Sequence, residues 1–445
     1  MKNKNPDITL RIPRKLQTDM LSDLQRPHIH ASERVGFLLT KSKWLNAKKL
    51  LIIAVAYQPV DDEFYIEDAS VGAKIGSDAI RSAMQSMLTS KTGGFHVHLH
   101  DHSGKPGPSS TDRKGLPGVV ESLSNIAGRQ ATGYLILSHD NFYSSIKIPD
   151  TNTIRNADLI SVIGYPMTFC FDKMKQTKKN KVFDRQSFLG PESPFLFENV
   201  RVGIIGYGGG GSHIGQQLAH IGIKNITVFD DDYIEDTNLN RLVGGTFKDV
   251  VRKLAKIFIA KRVIKSVLPQ ANVTIIESRW QANPEMLQEC DLIIGSIDTY
   301  AERQQLEAEC RRYLIPYVDI GMDIYQAEVE HPAISGQIMM TLPGAPCFWC
   351  YGFLTEEKLG KEAAKYGNVG GRPQVVWPNG VLASTAVGVL VDLITGWTGQ
   401  KEKLVYFEYD GNNGYIKDHV RIRFCDKSCS HYPLENAGPV RFKNL

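Results

Sequence analysis

The sequence predicts two folded units in one chain: an α+β domain over residues 1–170, then an α/β domain with a doubly wound parallel sheet over residues 183–445. Three observations carry that prediction. Residues 173–181 form a strongly basic run without apolar periodicity, which reads as a solvated linker; we place that linker at 171–182. Beyond it, apolar runs of strand length alternate with helical patterns, the signature of a parallel sheet with crossover helices. The first of those strands runs into a glycine-rich turn, as a phosphate-binding strand–turn–helix does. The 445 residues allow two or three domains at ~100–200 residues each.

In the first unit, Lys49–Tyr57 is continuously apolar and ends at Gln58-Pro59, a buried strand. Ser77–Ser90 has apolar residues at helical spacing behind a polar start. Gly94–His100 alternates with a period of two, and Gly133–Ser138 and Asp158–Tyr165 read as further strands. In the second unit, strands are expected at Val200–Ile205, Asn225–Phe229, Asn272–Ile276, Leu292–Ser296 and Tyr317–Ile320. Helices are expected at Ser212–His220 and, as one long element stopped by Pro269, at Phe247–Leu268. The Gly/Pro-rich stretch Tyr366–Gly380 reads as a loop able to cover a bound tail. Val381–Ile394 is apolar but carries Asp392, Ser384, Thr385 and Gly388, so a buried helix is expected rather than a membrane span.

Composition excludes several classes. Apolar residues are 42% and charged residues 22%, with 52 Lys+Arg against 48 Asp+Glu, so neither a disordered acidic chain nor a general nucleic-acid binder is indicated. Met1–Asp7 has no apolar region of a secretory signal, and seven cysteines are too sparse for a disulfide scaffold. Reducing cytoplasm is the expected compartment.

Residues 96–102 hold four histidines. Alternate residues of a strand share a face, so His98 and His100 can point the same way. Two imidazoles and a carboxylate returned by a turn make a three-ligand zinc site with one open position, where bound water becomes a nucleophile. Pro106-Gly107-Pro108 supplies the turn, Asp112 the carboxylate, and Glu33 is the candidate general base. Spacing alone leaves the choice among His96, His98, His100 and His102 open. The set Glu33, His98-x-His100 and Ser109-x-x-Asp112 resembles the JAMM metalloprotease motif of JAB/MPN domains, and the resemblance covers most of residues 20–165. It implies His98, His100 and Asp112 as ligands of a catalytic zinc, Glu33 as the base and Ser109 as a donor to the oxyanion. It also implies cleavage of peptide or isopeptide bonds after the C-terminal glycine of a ubiquitin-like protein.

The second motif is Gly206-Tyr-Gly208-Gly209-Gly210-Gly211-Ser212, with Asp230 and Asp232 at the end of the next strand. Glycines let the backbone approach phosphate, and the acid can accept ribose hydroxyls. This much fits NAD as well as ATP. Asn238, Arg241, Lys256, Asp298 and Arg303 add a polar and cationic set suited to a triphosphate that loses pyrophosphate, with Asp298 able to hold Mg²⁺. From about Phe183 onward the chain resembles the ThiF/MoeB/ubiquitin-activating superfamily. The resemblance implies that Asp230 binds ribose, that Asn238, Arg241 and Lys256 contact phosphates, with Lys253 and Lys261 as close rivals of Lys256, and that Asp298 sits at the Mg²⁺ and the acyl phosphate. Arg185-Gln186 resembles the family's Arg-Gln, whose arginine reaches the partner subunit's ATP, which implies a homodimer.

Cys347-x-x-Cys350 and Cys425-x-x-x-Cys429 can close a tetrahedral structural zinc site. Cys170, Cys290 and Cys310 read as core, and Tyr351–Gly380 holds no cysteine. Direct hand-off of the activated acyl group is therefore expected, or a relay through Cys350 should the pairs not bind metal. The expected whole is a fusion of a zinc metalloprotease with an ATP-dependent adenylyltransferase, acting on the C-terminal glycine of one ubiquitin-like protein and serving a conjugating-enzyme partner. Sulfur-carrier activation is the alternative use. An NAD-dependent oxidoreductase and a scaffold with a degenerate protease are the alternatives from other classes.

Overall fold

The computed structural model describes residues 6–173, 181–325, 331–364, 373–426 and 428–439. Most of the basic linker and the first part of the 366–380 stretch lie outside those residues.

The first half is built on a nine-stranded mixed sheet. Its strands are β1 (Asp7–Pro13), β2 (Val35–Asn46), β3 (Lys49–Pro59), β4 (Gly93–Leu99), β5 (Thr132–Leu137), β6 (Phe142–Lys147), β7 (Ile154–Arg155), β8 (Leu159–Ile163) and β9 (Thr168–Phe171). They lie in the order β7-β6-β5-β4-β2-β3-β1-β8-β9. Helices α1 (Arg14–Leu24), α2 (Ser77–Ser90) and α3 (Ser110–Ile126) accompany it. Strands β1, β2 and β6 and helices α1 and α3 go beyond the sequence expectation. Gly115, Pro117 and Gly118 mask the helical pattern of α3. Strand β9 ends at Phe171, so the first unit's sheet runs into the expected linker.

The second half contains α4 (Ser193–Asn199), β10 (Arg201–Ile205), α5 (Gly209–Ile221), β11 (Asn225–Phe229), α6 (Phe247–Val251), α7 (Lys256–Val267) and β12 (Asn272–Ile276). It continues through α8 (Pro284–Gln288), β13 (Leu292–Gly295), α9 (Tyr300–Arg312), β14 (Tyr317–Tyr325), β15 (Ala333–Thr341), α10 (Glu356–Ala364), α11 (Val376–Thr395), β16 (Val405–Asp410) and β17 (Tyr415–Asp418). The parallel strands run β12-β11-β10-β13-β14, a doubly wound order that reverses between β10 and β13. Ligands bind outside the carboxyl ends of the strands at such a reversal. The all-parallel expectation is corrected at the far edge, where β15, β16 and β17 add antiparallel to β14.

The expected long helix 247–268 is also corrected. It is two helices, α6 and α7, separated by Arg252–Ala255. Lys253 has φ +47°, Ala255 is extended and bridges Tyr233, and Lys256 N donates to Asp232 O at 3.0 Å. The break ties the start of α7 to the turn after β11. Helix α11 begins at Val376, so the end of the stretch expected to be a loop is helical. Its most apolar window is long enough to span a bilayer, yet 67% of that window is buried inside the molecule.

One hydrophobic cluster spans the two halves, and a second lies within the first half. A single cluster of buried side chains runs from Val35, Phe37 and Leu51 in the first sheet to Ile204, Leu292 and Leu390 in the second half. Polar contacts reinforce it. Arg11 of β1, 2% exposed, donates to the carbonyls of Tyr313 (2.8 Å), Gln288 (3.1 Å) and Cys290 (2.8 Å). The Tyr165 hydroxyl donates to Asp392, Met167 N donates to Leu393 O at 2.8 Å, and Lys49 pairs with Glu289 at 3.2 Å.

Candidate functional sites

The larger site is a cleft of about 740 Å³ at the carboxyl ends of β10, β11, β13 and β14, where the strand order reverses. Gly206, Gly208 and Gly209 line it, as do Asp230, Asp232, Asn238, Arg241, Lys256, Asp298 and Arg303. The turn after β10 needs its glycines for different reasons. Gly206 has φ +83°, a conformation that disfavours side chains. A Cβ on Gly211 would stand 2.0 Å from Gly206 O, so this residue allows α5 to start close against the strand. A Cβ on Gly208 would meet nothing within 4 Å, so there the backbone faces open space at the first turn of α5, whose N–H groups suit an anion.

Asp230 is nearly buried, and both of its oxygens are in use. Oδ2 accepts from Tyr207 N at 2.5 Å and Oδ1 from Asp232 N at 2.9 Å. Burial raises its pKa, against the lowering effect of Lys256 and the two amides. Lys256, placed by the break before α7, pairs with Asp232 Oδ2 at 2.6 Å. Asn238 spends its Oδ1 on Glu235 N at 3.0 Å. Arg241 donates to Thr237 O at 2.5 Å and to Asn240 Oδ1 at 3.1 Å. Asp298 is exposed at the cleft wall, directly before α9. Arg303 lines the cleft while it pairs with buried Asp319 at 3.1 Å and donates to Ile320 O at 3.2 Å. Arg185 is exposed and is not among the residues lining the cleft of its own chain. Sequence reasoning missed Gln337, Gln374 and Asn379, which also line the cleft. A Cβ on Gly209 would sit 2.7 Å from Asn379 Nδ2, so α11 closes on the glycine turn.

The second site lies at the end of β4. His98, His100 and Asp112 converge there. His98 Nε2 and His100 Nε2 are 3.3 Å apart, and they lie 3.4 and 3.5 Å from the two oxygens of Asp112. Ligand atoms about 2.0 Å from a tetrahedral zinc are about 3.3 Å from one another, so this spacing fits the metal. Burial pushes the Asp112 carboxyl up, but hydrogen bonds and charge from His98 and hydrogen bonds from Ser109 outweigh it and hold the group well below the carboxylate range. Burial, then the neighbouring His98, lowers the His100 pKa. Ser109 is the N-cap of α3: its Oγ accepts from Asp112 N at 3.1 Å, and its own N–H donates to Asp112 Oδ2 at 2.7 Å. The Ser109 hydroxyl proton is left to donate elsewhere. Strand β2 pairs with β4 through Val35 and His98; Glu33 precedes β2, its N–H donates to Gly72 O at 3.0 Å, and its charge acts on His100. His96 and His102 fall outside the set. His96 is buried beside Phe37, and its pKa is pushed down to about 3 by that burial.

The cysteine expectation is corrected in one ligand. Cys347, Cys350 and Cys429 come together with His431, not with Cys425. Cys347 Sγ is 3.5 Å from Cys350 Sγ and 3.5 Å from His431 Nδ1, and Cys350 Sγ is 3.4 Å from that nitrogen. Those spacings fall near the ~3.8 Å between thiolates on a tetrahedral zinc. Cys425 instead donates to Cys350 O at 3.2 Å. The three residues between Cys425 and Cys429 are one more than in the tight first pair, and His431 fills the vacated corner with Trp349 stacked on its ring. Cys170, Cys290 and Cys310 are buried, as expected of core thiols.

Comparison with known proteins bears on the second half. The model of the ThiF family matches residues 186–431. The SAMP-activating enzyme E1 of Haloferax volcanii is 30% identical over 164 residues, covering 36% of this chain and 57% of that enzyme. Ubiquitin-like modifier-activating enzyme 5 of Rattus norvegicus is 27% identical over 172 residues, covering 35% of this chain and 40% of that protein. The match thus spans less than two thirds of either relative. Among solved structures, Escherichia coli MccB with ATP aligns over 54% of this chain and 71% of its own, at 20% identity and a TM-score of 0.45. PaaA aligns over 56% of this chain and 85% of its own, at 19% identity and a TM-score of 0.43.

Proposed function

The chain belongs to the ThiF family, and on that premise we propose that its second half uses MgATP to adenylate the C-terminal glycine of a ubiquitin-like protein, releasing pyrophosphate. The observation that supports this most is the cleft at the strand reversal. It gathers an open glycine turn, the acid Asp230, the cations Arg241 and Lys256, and the exposed Asp298. Asp230 would hold ribose with its remaining lone pairs. Lys256, now held by Asp232, would turn to the phosphates. Asp298 would hold Mg²⁺ where the carboxylate attacks the α-phosphate. Arg185, exposed in its own chain, would serve the site of a second copy in a homodimer.

We further propose that the first half is a JAB/MPN-like zinc peptidase acting on the same C-terminus, before activation or after conjugation. His98, His100 and Asp112 would hold the metal, which supplies an activated water. Glu33 would serve as the base toward that water and as the acid toward the leaving amine. The Ser109 hydroxyl donates to the oxyanion. The Cys347, Cys350, Cys429 and His431 set would hold a second, structural zinc that fastens the C-terminal segment to the body. The pairing of the two activities favours a ubiquitin-like conjugation pathway over sulfur transfer, because removal of a carrier presupposes its attachment.

The test is ATP–pyrophosphate exchange by the Glu33→Ala chain with small proteins ending in exposed glycine, with Asp298→Ala added as control. Exchange with one carrier and none in the control is the expected result. Absence of MgATP binding would overturn the adenylation reading. Hydrolysis of a C-terminal extension on that carrier, lost in Glu33→Ala and on chelation, is the expected peptidase result; hydrolysis that survives both would sink it.

A further inference from the structure

The residues from Ser32 to Val35, which lead into β2, are tied one after another to the loop that follows β3. Ser32 N, Ser32 Oγ and Glu33 N all donate to Gly72 O, at 2.9, 3.2 and 3.0 Å. Arg34, 3% exposed, pairs with Asp62 at 2.7 Å, and Val35 N donates to the Tyr65 hydroxyl at 2.9 Å. The loop is itself closed: Tyr65 bridges Ile75, and Ile66 N donates to Lys74 O at 2.8 Å. Near its tip, Gly72 meets the Glu33 carboxylate directly. A Cβ on Gly72 would stand 2.6 Å from Glu33 Cδ, 2.7 Å from Oε2 and 2.9 Å from Oε1, and these are the three atoms nearest to it. Gly72 has no positive φ, so it is the carboxylate, not the backbone, that requires glycine here. Among the described residues, that carboxylate accepts no hydrogen bond and forms no ion pair.

We propose that Gly72 is a positioning residue for the base Glu33, a proposal that rests on the peptidase reading above. The Gly72 carbonyl fixes the backbone that carries the base, and the bare Cα is the surface against which the carboxylate rests. A general base must keep a lone pair free for the proton it takes. Steering by contact leaves both oxygens free, whereas steering by hydrogen bonds would occupy them, and the charge still acts on His100. The obstacle to a side chain at position 72 is the far end of a flexible glutamate. A methyl group there would displace the carboxylate and leave the surrounding fold in place. The effect of Gly72→Ala therefore falls on the base and not on stability.

Calorimetric binding of acetohydroxamate to the zinc-loaded full chain tests this without a substrate. A hydroxamate grips zinc through its two oxygens and gives its proton to a carboxylate base beside the metal. Glu33→Ala should weaken that binding about tenfold. Gly72→Ala should weaken it by a similar factor, with zinc content and melting temperature unchanged. In the double variant Glu33→Ala/Gly72→Ala the second change should add nothing, because Gly72 acts through Glu33 alone. Hydrogen–deuterium exchange of the metal-free chain supplies a second readout. The Ser32 and Glu33 amides should be protected equally in Gly72→Ala, since their acceptor carbonyl remains. Undiminished hydroxamate binding by Gly72→Ala would overturn the proposal. So would a further loss in the double variant, or faster exchange at Ser32 and Glu33, either of which would make Gly72 a support for the loop only. Failure of the unaltered chain to bind zinc at His98, His100 and Asp112 would instead strike the peptidase reading, and the proposal with it.

Discussion

Lys256 shows how a single side chain can be held ready for a ligand. It is 8% exposed, stands at the first position of α7, and is matched by Asp232 across 2.6 Å. A charge-assisted hydrogen bond is worth about 1.5–3 kcal/mol. Lys256→Ala should therefore weaken MgATP about 10- to 100-fold by calorimetry, with little change in melting temperature because Asp232 is exposed on its other side. At the cysteine cluster the structure makes an asymmetric forecast. His431→Ala should lower bound zinc, measured by elemental analysis, while Cys425→Ser should retain it. The reverse result would restore the four-cysteine arrangement. Residues of this kind were legible in the sequence wherever spacing puts ligands on one element or one turn. Spacing on a strand put the histidines on one face, but the choice of His98, His100 and Asp112 came from the resemblance, because α3, which carries Asp112, is masked in the sequence. His431 was not legible, because its place depends on how the segment after Cys425 folds back over Cys350. Arg303 lines the cleft too, and what the sequence does not show is Asp319 beneath it, which holds the guanidinium in place.

Elements with strong local signals matched expectation closely. Helix α2 and strands β11 and β12 have the bounds that pattern alone predicted. The long helix 247–268 failed because its break is set by the segment after β11 of the same chain. Tyr233 and Ile234 pair with Leu254 and Ala255, and no proline or glycine marks the spot. Strand β2 carries little signal in the sequence because its second half is only partly buried and mixes lysines with apolar residues. The glycine turn offers a test at this scale. Gly208→Ala should fold normally yet lose nucleotide affinity, since the added methyl points into open space at the start of α5. Gly211→Ala should destabilise the fold itself, because the methyl would collide with Gly206 O at 2.0 Å. Thermal melts together with MgATP titration separate the two, and equal stability loss in both would contradict this division of labour.

At the scale of the whole molecule, the two halves are not beads on a string. Arg11 is buried with three carbonyls of the second half as its acceptors. Its pKa is lowered by burial, with Asp291 opposing. Removing the guanidinium leaves buried carbonyls without their donor, at about 1–3 kcal/mol for an unsatisfied group. Arg11→Met should therefore lower the melting temperature of the entire chain in one transition, and calorimetry should show no separate survival of either half. Two resolved transitions would contradict the shared core. Legibility was weakest here, since the basic run between the units reads as a tether while the contacts that fuse them join residues some 300 positions apart, such as Arg11 and Tyr313 at a separation of 302.

The shared core also fixes a ratio. Under the proposed function, one catalyst attaches a carrier's fate to ATP and the other undoes or prepares that step. Separate proteins would let a cell shift the balance by making more of one. In this chain every copy of the first activity arrives with one copy of the second, and neither can be shed by a cut in the linker without exposing the apolar surface between them. The steady level of modified target is then set by turnover numbers and carrier supply, not by gene dosage.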